Sequence, residues 1–231
     1  MFMNDYSSST TPQRHQPAAE NSWVGVSRWL RTVGRTVQGH LLLLGGVVLL
    51  LWLIEAADQL IWQESLDFFG IRPHTMSGLR HILFAPFLHR GFGHLLANTV
   101  PFFLLGWLVL LRGIGEFLFV SFLAALISGA GIWLFGMTDT IHIGMSGVIF
   151  GYLGFLLARG YFERSAFAIA LAIAVGLLYG SMVWGVLPLQ PNISWLGHLF
   201  GLLGGGVAAY FLANRQSTVQ RHDTTDQGAH R

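Results

Sequence analysis

The 231-residue chain contains no cysteine, no lysine and few charged residues. The absence of cysteine excludes disulfide bonds and thiol chemistry, although it says little about the compartment. Charged residues make up only 10% of the chain and hydrophobic residues 53%, a balance outside the usual range of soluble domains. The apolar residues fall into blocks about as long as a spanning helix, roughly 20 residues. We therefore expect a polytopic membrane protein that contacts lipids and does not bind nucleic acid.

Six apolar blocks predict six transmembrane helices in an all-α bundle over residues 40–213. The fourth block is short and is interrupted by Gly151 and Gly154, so it is the weakest by hydropathy. The predicted spans are 41–62, 94–111, 116–135, 145–159, 166–187 and 193–213.

The arginines predict how the bundle is oriented. With six spans and the N-terminus inside, ten arginines lie on the cytoplasmic side, and only Arg72, Arg80 and Arg90 lie opposite. Basic residues favour the cytoplasmic side of a membrane, so both termini are expected to be cytoplasmic.

The segments outside the bundle are polar or amphipathic. Residues 1–22 and 214–231 have the composition of disordered tails. Residues 23–39 place apolar side chains at helical spacing between arginines, which predicts a basic amphipathic helix on the inner leaflet. The alternative is a plain helical extension of the first span. Residues 1–22 also lack the apolar core of a cleavable signal peptide, and the short tails favour a bacterial plasma membrane.

The connection 63–92 is rich in apolar residues. We expect it to lie partly embedded, packed on the outer leaflet or on the bundle, because non-helical backbone at membrane depth must be buried against protein or water.

Polar residues in three spans are predicted to meet at one depth. Spans two, four and six all enter from outside, which places His94 and Asn98, Ser146, and His198 in the outer half of the bilayer. His94 and Asn98 are four apart and share one face of their helix. Polar side chains inside a bilayer are costly and are usually functional. This layer is therefore the candidate active site.

Glycines explain how spans four and six could approach. Gly147 and Gly151 are four apart on one span, and Gly201 and Gly205 are four apart on the other. Small residues at this spacing allow close helix packing in lipid. Proton transfer requires heavy atoms roughly 2.6–3.2 Å apart. We therefore predict that Ser146 is a nucleophile and that His198 is its general base.

No aspartate or glutamate is expected at this depth, which favours a Ser–His dyad over a triad. His94, Asn98 and the backbone N–H of Ser146 are the candidate donors to a developing oxyanion. Ser121 and Ser128 are interpreted as serines that bond to carbonyls of their own helix.

The three motifs, in this order and on these helices, resemble the rhomboid family of intramembrane serine proteases over roughly residues 40–213. They are the His89, His94 and Asn98 run, Gly-x-Ser-Gly around Ser146, and a histidine with glycines three and seven later. The resemblance implies a six-transmembrane-helix rhomboid-like bundle that hydrolyses peptide bonds in or near transmembrane segments of single-span proteins. It implies no cofactor and no metal, and it leaves the oligomeric state open.

The resemblance also implies roles for single residues. Ser146 is the nucleophile, His198 the base, and His94 with Asn98 form the oxyanion site, whereas His89 braces the large outer loop. Gly144 is expected to provide a turn or space for a substrate backbone. Phe150 replaces a frequent tyrosine, and its ring can still stack on His198. Gly201 and Gly205 support the helix contact.

Two other classes of function could use the same polar residues. A metal- or haem-binding membrane protein would use His89, His94, His142 and His198 as ligands, but it leaves Ser146 unexplained. A proteolytically inactive rhomboid relative would bind membrane proteins without cutting them. Such relatives typically lose the serine or the histidine, and this chain keeps both.

Overall fold

The computed structural model of the chain describes the backbone of residues 20–190 and 193–229, with side chains within residues 30–215. The described residues are helical apart from turns and one isolated bridge between Ile71 and His142, which confirms the all-α class. The helices are α1 (Glu20–Ala57), α2 (Met76–Arg80), α3 (Gly91–Leu110), α4 (Ile114–Phe135), α5 (Ser146–Glu163), α6 (Ala166–Tyr179) and α7 (Trp195–Ala229). Two compact units divide at Leu41, and the unit Leu42–Arg231 holds all the candidate residues.

Five helical stretches in the described part of the chain are long and apolar enough to cross a membrane, so the protein is an integral, multi-pass membrane protein. They agree with predicted spans one, two, three, five and six. Their bounds are Thr32–Trp62, Gly91–Leu110, Ile114–Phe135, Ala166–Val186 and Trp195–Arg215.

The fourth predicted span corresponds to α5, which has 18 residues and would be about 27 Å long. It ends in charged residues, including Arg159 and Glu163, which lower its hydropathy. Its side chains are buried on nearly every face, and it packs against α3, α4, α6 and α7. Because α5 is surrounded by protein, it needs fewer apolar residues than a helix that faces lipid.

Glycines set the distance between α5 and α7. A Cβ added to Gly201 would overlap the backbone of Gly147, and one added to Gly205 would overlap the carbonyl of Gly151. In the opposite direction, a Cβ on Gly154 would meet the backbone of Leu202. When two helices are in backbone contact, a short side chain on one helix can reach a short side chain on the other. The predicted close crossing is confirmed.

Charged groups join the far ends of α4 and α5. Arg112 bonds to Glu116 at 2.9 Å and to Glu163 at 3.2 Å, while Arg159 reaches Glu163 at 2.7 Å. Each of these side chains is less than a quarter exposed. Partly buried, mutually paired charges fix the end of α5 opposite Ser146.

The connection between α1 and α3 packs partly on the bundle. Ile71, Ile82 and Ala85 form a small buried cluster with Ile132 of α4. Other side chains of this connection, such as Phe84, face outward. Contact with the bundle is thus confirmed, and contact with the outer leaflet stays a prediction.

The two ends of the chain extend the helices beyond the predicted spans. Residues 23–39 are helical, as both the interfacial helix and the helical extension require. Helix α7 continues to Ala229, past the predicted end at residue 213. Residues 1–19 and 230–231 lie outside the described residues. Disorder of the two tails and an interfacial position for 23–39 stay predictions.

The raised pKa of Asp67 predicts that the stability of the protein depends on pH. Burial, and then the negative charge of Asp58, raise the pKa of Asp67 to about 6, although Arg90 lies 3.8 Å away and opposes this shift. A carboxyl whose folded pKa is raised stabilises the fold below its unfolded pKa and loses that contribution as pH rises through 6. Asp67→Asn should therefore raise the melting temperature at pH 7.5 and change it little at pH 4, a difference worth at most about 3 kcal/mol.

The control for this measurement is Asp139→Asn, which neutralises an exposed acid that does not contribute to the raised pKa of Asp67. A melting temperature of Asp67→Asn that follows the wild type at both pH values would contradict the assignment.

Candidate active site

Ser146 is the first residue of α5 and follows a tightly held turn. Gly144 has φ +114°, a conformation that side chains rarely adopt, and an added Cβ would lie 2.7 Å from His94 Cε1. The Gly144 N–H donates to the carbonyl of Ala85 at 2.9 Å. The Met145 N–H donates to His89 Nε2 at 3.4 Å. Gly144 thus provides the expected turn, and the residues before α3 hold Ser146 in place.

His198 lies in the first turn of α7 and meets Ser146 directly. Its Nε2 is 2.8 Å from Ser146 Oγ, and its Nδ1 is 2.9 Å from the carbonyl oxygen of Gly185. A carbonyl only accepts hydrogen bonds, so Nδ1 carries the proton and Nε2 is free to accept from the serine hydroxyl. The structure brings together the two residues that were predicted to meet, at a distance suited to proton transfer.

Gly185 was missed by the sequence reasoning. It lies in the 3-10 segment Gly180–Val186 that follows α6. A Cβ at this position would lie 3.0 Å from Phe150 Cζ and 3.1 Å from His198 Nδ1. A main-chain carbonyl orients the imidazole here, where a triad would use a carboxylate. No pattern of residue types could have indicated it.

Phe150 stacks on His198 as predicted. The ring centroids are 4.1 Å apart with an interplanar angle of 8°. Phe150 is buried and lies one turn after Ser146 on α5. The stack therefore fixes the plane of the imidazole relative to the serine.

If His198 acts as a base towards Ser146, Phe150→Ala should lower kcat about tenfold, because an aromatic pair contributes about 0.5–1.5 kcal/mol beyond its burial. Phe150→Tyr retains the ring and should keep near wild-type kcat. Initial rates on a membrane-anchored substrate would measure both. Equal rates for the alanine and tyrosine variants would show that the stack does not orient the base.

His94 and Asn98 lie on α3 and face the turn at Gly144. The Arg90 N–H donates to His94 Nδ1 at 3.4 Å, which leaves the proton on Nε2 and makes that atom a donor. Asn98 is buried, and its Nδ2 has no hydrogen-bond partner among the described residues. Leaving such a donor unpaired costs about 1–3 kcal/mol. Two donors beside Gly144, two residues before Ser146, can stabilise negative charge on a substrate oxygen bound there.

His89 supports this arrangement from behind. It is 1% exposed, and its ring contacts His94 edge-on at 5.2 Å between centroids. Burial, and then the proximity of His94, lower the pKa of His89 to about 4. A neutral imidazole can accept the Met145 N–H, so His89 contacts the turn before Ser146 and not the serine itself.

A small pocket lies beside Ser146, and its lining includes Ser128, Gly129, His142 and Gly197. One of these residues, Ser128, makes a contact that the sequence did not indicate. Ser121 bonds to the carbonyl of Phe117 in its own helix, as expected. Ser128, in contrast, donates to the Gly197 carbonyl on α7 at 2.8 Å, so that prediction was wrong. This bond ties α4 to the turn that carries His198.

Among the described residues, no group of three or more histidine, aspartate or glutamate side chains is arranged to hold a metal ion.

Comparisons with known proteins show which sequences the chain resembles. A sequence model of the rhomboid domain matches residues 77–215. The chain is 41% identical over 174 residues to the uncharacterized protein Rv1337 of Mycobacterium tuberculosis, covering 72% of each chain. It is 41% identical over 201 residues to the uncharacterized protein ML1171 of Mycobacterium leprae, covering 80% of this chain and 78% of that protein. It is also 28% identical over 185 residues to a Bacillus subtilis protein named "Putative rhomboid protease YdcA", covering 76% and 88%.

Proposed function

The chain belongs to the rhomboid family, and on this premise we propose that it is an intramembrane serine endopeptidase. It would hydrolyse peptide bonds in or near the transmembrane segments of single-span membrane proteins. The observation that carries the proposal is the 2.8 Å contact between Ser146 Oγ and His198 Nε2, with Nδ1 held by the Gly185 carbonyl.

The proposed reaction follows from these contacts. Ser146 Oγ attacks the carbonyl carbon of the scissile bond while His198 Nε2 takes the hydroxyl proton. His198 then gives that proton to the leaving amine as the C–N bond breaks. Water, deprotonated by the same nitrogen, hydrolyses the acyl-enzyme and restores the serine. The Gly185 carbonyl stabilises the imidazolium through its bond with Nδ1–H.

His94 and Asn98 are proposed to bind the oxyanion. Both present N–H donors towards Gly144, which precedes Ser146 by two residues. The unpaired Asn98 Nδ2 supports this role, because a buried donor without a partner is rare unless it has a ligand to bind. The backbone N–H of Ser146, at the start of a helix, would be a third donor.

The proposed topology has six spans, with α5 as the fourth, and both termini in the cytoplasm. The arginine distribution supports this orientation. It places the site towards the outer face of the proposed bacterial plasma membrane. Substrates would be transmembrane proteins, and lipids would surround the outward-facing apolar side chains of α1 and α6.

Purified wild-type and Ser146→Ala protein, incubated with a fluorophosphonate probe and a panel of membrane-anchored substrates, would test the proposal. We expect labelling and cleavage by the wild type only. Folded wild-type protein that captures a substrate without cutting or labelling would instead identify an inactive binder.

A further inference from the structure

His142 connects three segments at the outer end of the bundle. Its Nδ1 lies 2.8 Å from Ser194 Oγ, and its Nε2 lies 2.9 Å from Thr140 Oγ1. Its backbone pairs with Ile71 through N–H to O=C bonds of 2.9 Å and 3.0 Å. One residue therefore joins the connection before α3, the turn before α5 and the turn before α7.

The hydrogen bonds around His142 define its tautomer. The Thr140 hydroxyl donates to the Met137 carbonyl at 2.6 Å, so its oxygen accepts the proton of His142 Nε2. Nδ1 is then unprotonated and accepts from the Ser194 hydroxyl. Burial, and then the charge of Arg90, lower the pKa of His142 and keep it in this neutral form.

The hydrogen bond between His142 and Ser194 lies at the same sequence distance from each of the two reacting residues. His142 precedes Ser146 by four residues, and Ser194 precedes His198 by four residues. The carbonyl of Ser194 accepts the backbone N–H of His198 at 3.1 Å, so a shift of Ser194 moves the first turn of α7. Both His142 and Ser194 also line the pocket next to Ser146.

We infer that His142 is a positioning residue whose hydrogen bond to Ser194 holds the outer ends of α5 and α7 in the register required by Ser146 and His198. The glycines bring the two helices together, but helices in close contact can still slide along each other. A side-chain bond between the two preceding turns opposes such a slide. The inference rests on the proposed function, since it concerns the geometry of the same reaction.

Four variants test the bond to Ser194. His142→Leu and Ser194→Ala each remove it, and each should lower the fluorophosphonate labelling rate and kcat about tenfold while KM stays within about twofold. The double variant should be no slower than His142→Leu alone, because both changes delete one interaction. His142→Asn should keep at least about a third of the wild-type rate, because its Oδ1 can replace Nδ1 as the acceptor.

His74→Asn is the matched control. His74 is a loop histidine that binds the Leu134 carbonyl at 3.0 Å and does not contact the turn before α7. It should label at the wild-type rate. A wild-type rate for His142→Leu, equal rates for the leucine and asparagine variants, or additive losses in the double variant would each overturn the inference.

A measurement without catalysis separates this inference from the proposed function. Amide hydrogen exchange of residues 194–199 should accelerate in His142→Leu and stay at the wild-type rate in His142→Asn. Unchanged exchange in His142→Leu would overturn the positioning role even if the wild type is an active protease. If exchange is faster in His142→Leu but the probe does not label the wild type, the positioning contact is supported and the proposed protease activity is refuted.

Discussion

His198→Asn is expected to lower kcat about 10⁴-fold or more, with little change in KM, on a membrane-anchored substrate. Asparagine can place Nδ2 where His198 Nδ1 donates to the Gly185 carbonyl, but it has no atom at the position of Nε2. The substitution therefore removes the proton acceptor while retaining the contact with the segment after α6. Loss of activity then reports on proton transfer and not on the packing of α7.

The double variant Ser146→Ala/His198→Asn provides the control for this prediction. Residues that act as one catalytic unit are strongly non-additive, so the second substitution should cause no further loss. Melting temperatures of both variants would verify that the bundle is intact. Residual activity of His198→Asn above about 1% of wild type would mean that another group accepts the serine proton.

The sequence predicted the parts of the site that side-chain chemistry defines. The sequence pointed to Ser146 and His198 because polar side chains in apolar helices are energetically costly and are usually functional. It pointed to the facing glycines of α5 and α7 because small residues at this spacing allow close helix packing. Counting six spans predicted that Ser146 and His198 lie at a common depth in the membrane. The contact at 2.8 Å and the backbone overlap expected at Gly201 and Gly205 agree with that reasoning.

Other features depend on contacts between segments that are distant in sequence. The Gly185 carbonyl is a backbone group, and every residue type carries one. His142 and Ser194 are 52 residues apart. His142 lies outside the predicted spans and Ser194 is only the second residue of the sixth, so neither polar residue is conspicuous in the sequence. Ser128 lies in an apolar helix, where a serine usually bonds to a carbonyl of its own helix. It nevertheless lies close enough to α7 to bond to the Gly197 carbonyl. Tertiary packing decided each of these contacts.

The position of α5 links these observations. It is held at one end by the charged pairs of Arg112 and Arg159, and along its length by glycine contacts with α7. At the other end, hydrogen bonds to Gly144 and Met145 fix the turn before Ser146. The proposed nucleophile, Ser146, therefore lies on a helix enclosed by protein and has little freedom to move. Productive alignment with His198 then depends mainly on where α7 sits.

Gly201→Ala is therefore expected to lower kcat about 100-fold and to destabilise the bundle by about 3 kcal/mol. Its Cβ would overlap the backbone of Gly147, the residue after Ser146, and a backbone cannot move aside as a flexible side chain can. Overpacking of this kind typically costs about 1–3 kcal/mol. Displacing a reacting atom by about 1 Å can reduce a rate about 10²-fold. Labelling rate and melting temperature would measure the two effects.

Gly206→Ala is the matched control for this prediction, because it lies on the same helix and an added Cβ meets nothing within 4 Å. Alanine favours helix over glycine by about 1 kcal/mol, so this variant should be as stable as the wild type or slightly more stable, and fully active. The two variants thus add the same methyl group to α7, at one position where it overlaps the backbone of Gly147 and at another where no atom lies within 4 Å. If Gly201→Ala reacted with the probe as fast as Gly206→Ala, the α5–α7 distance would not limit proton transfer, and the proposed role of the glycines in catalysis would be wrong.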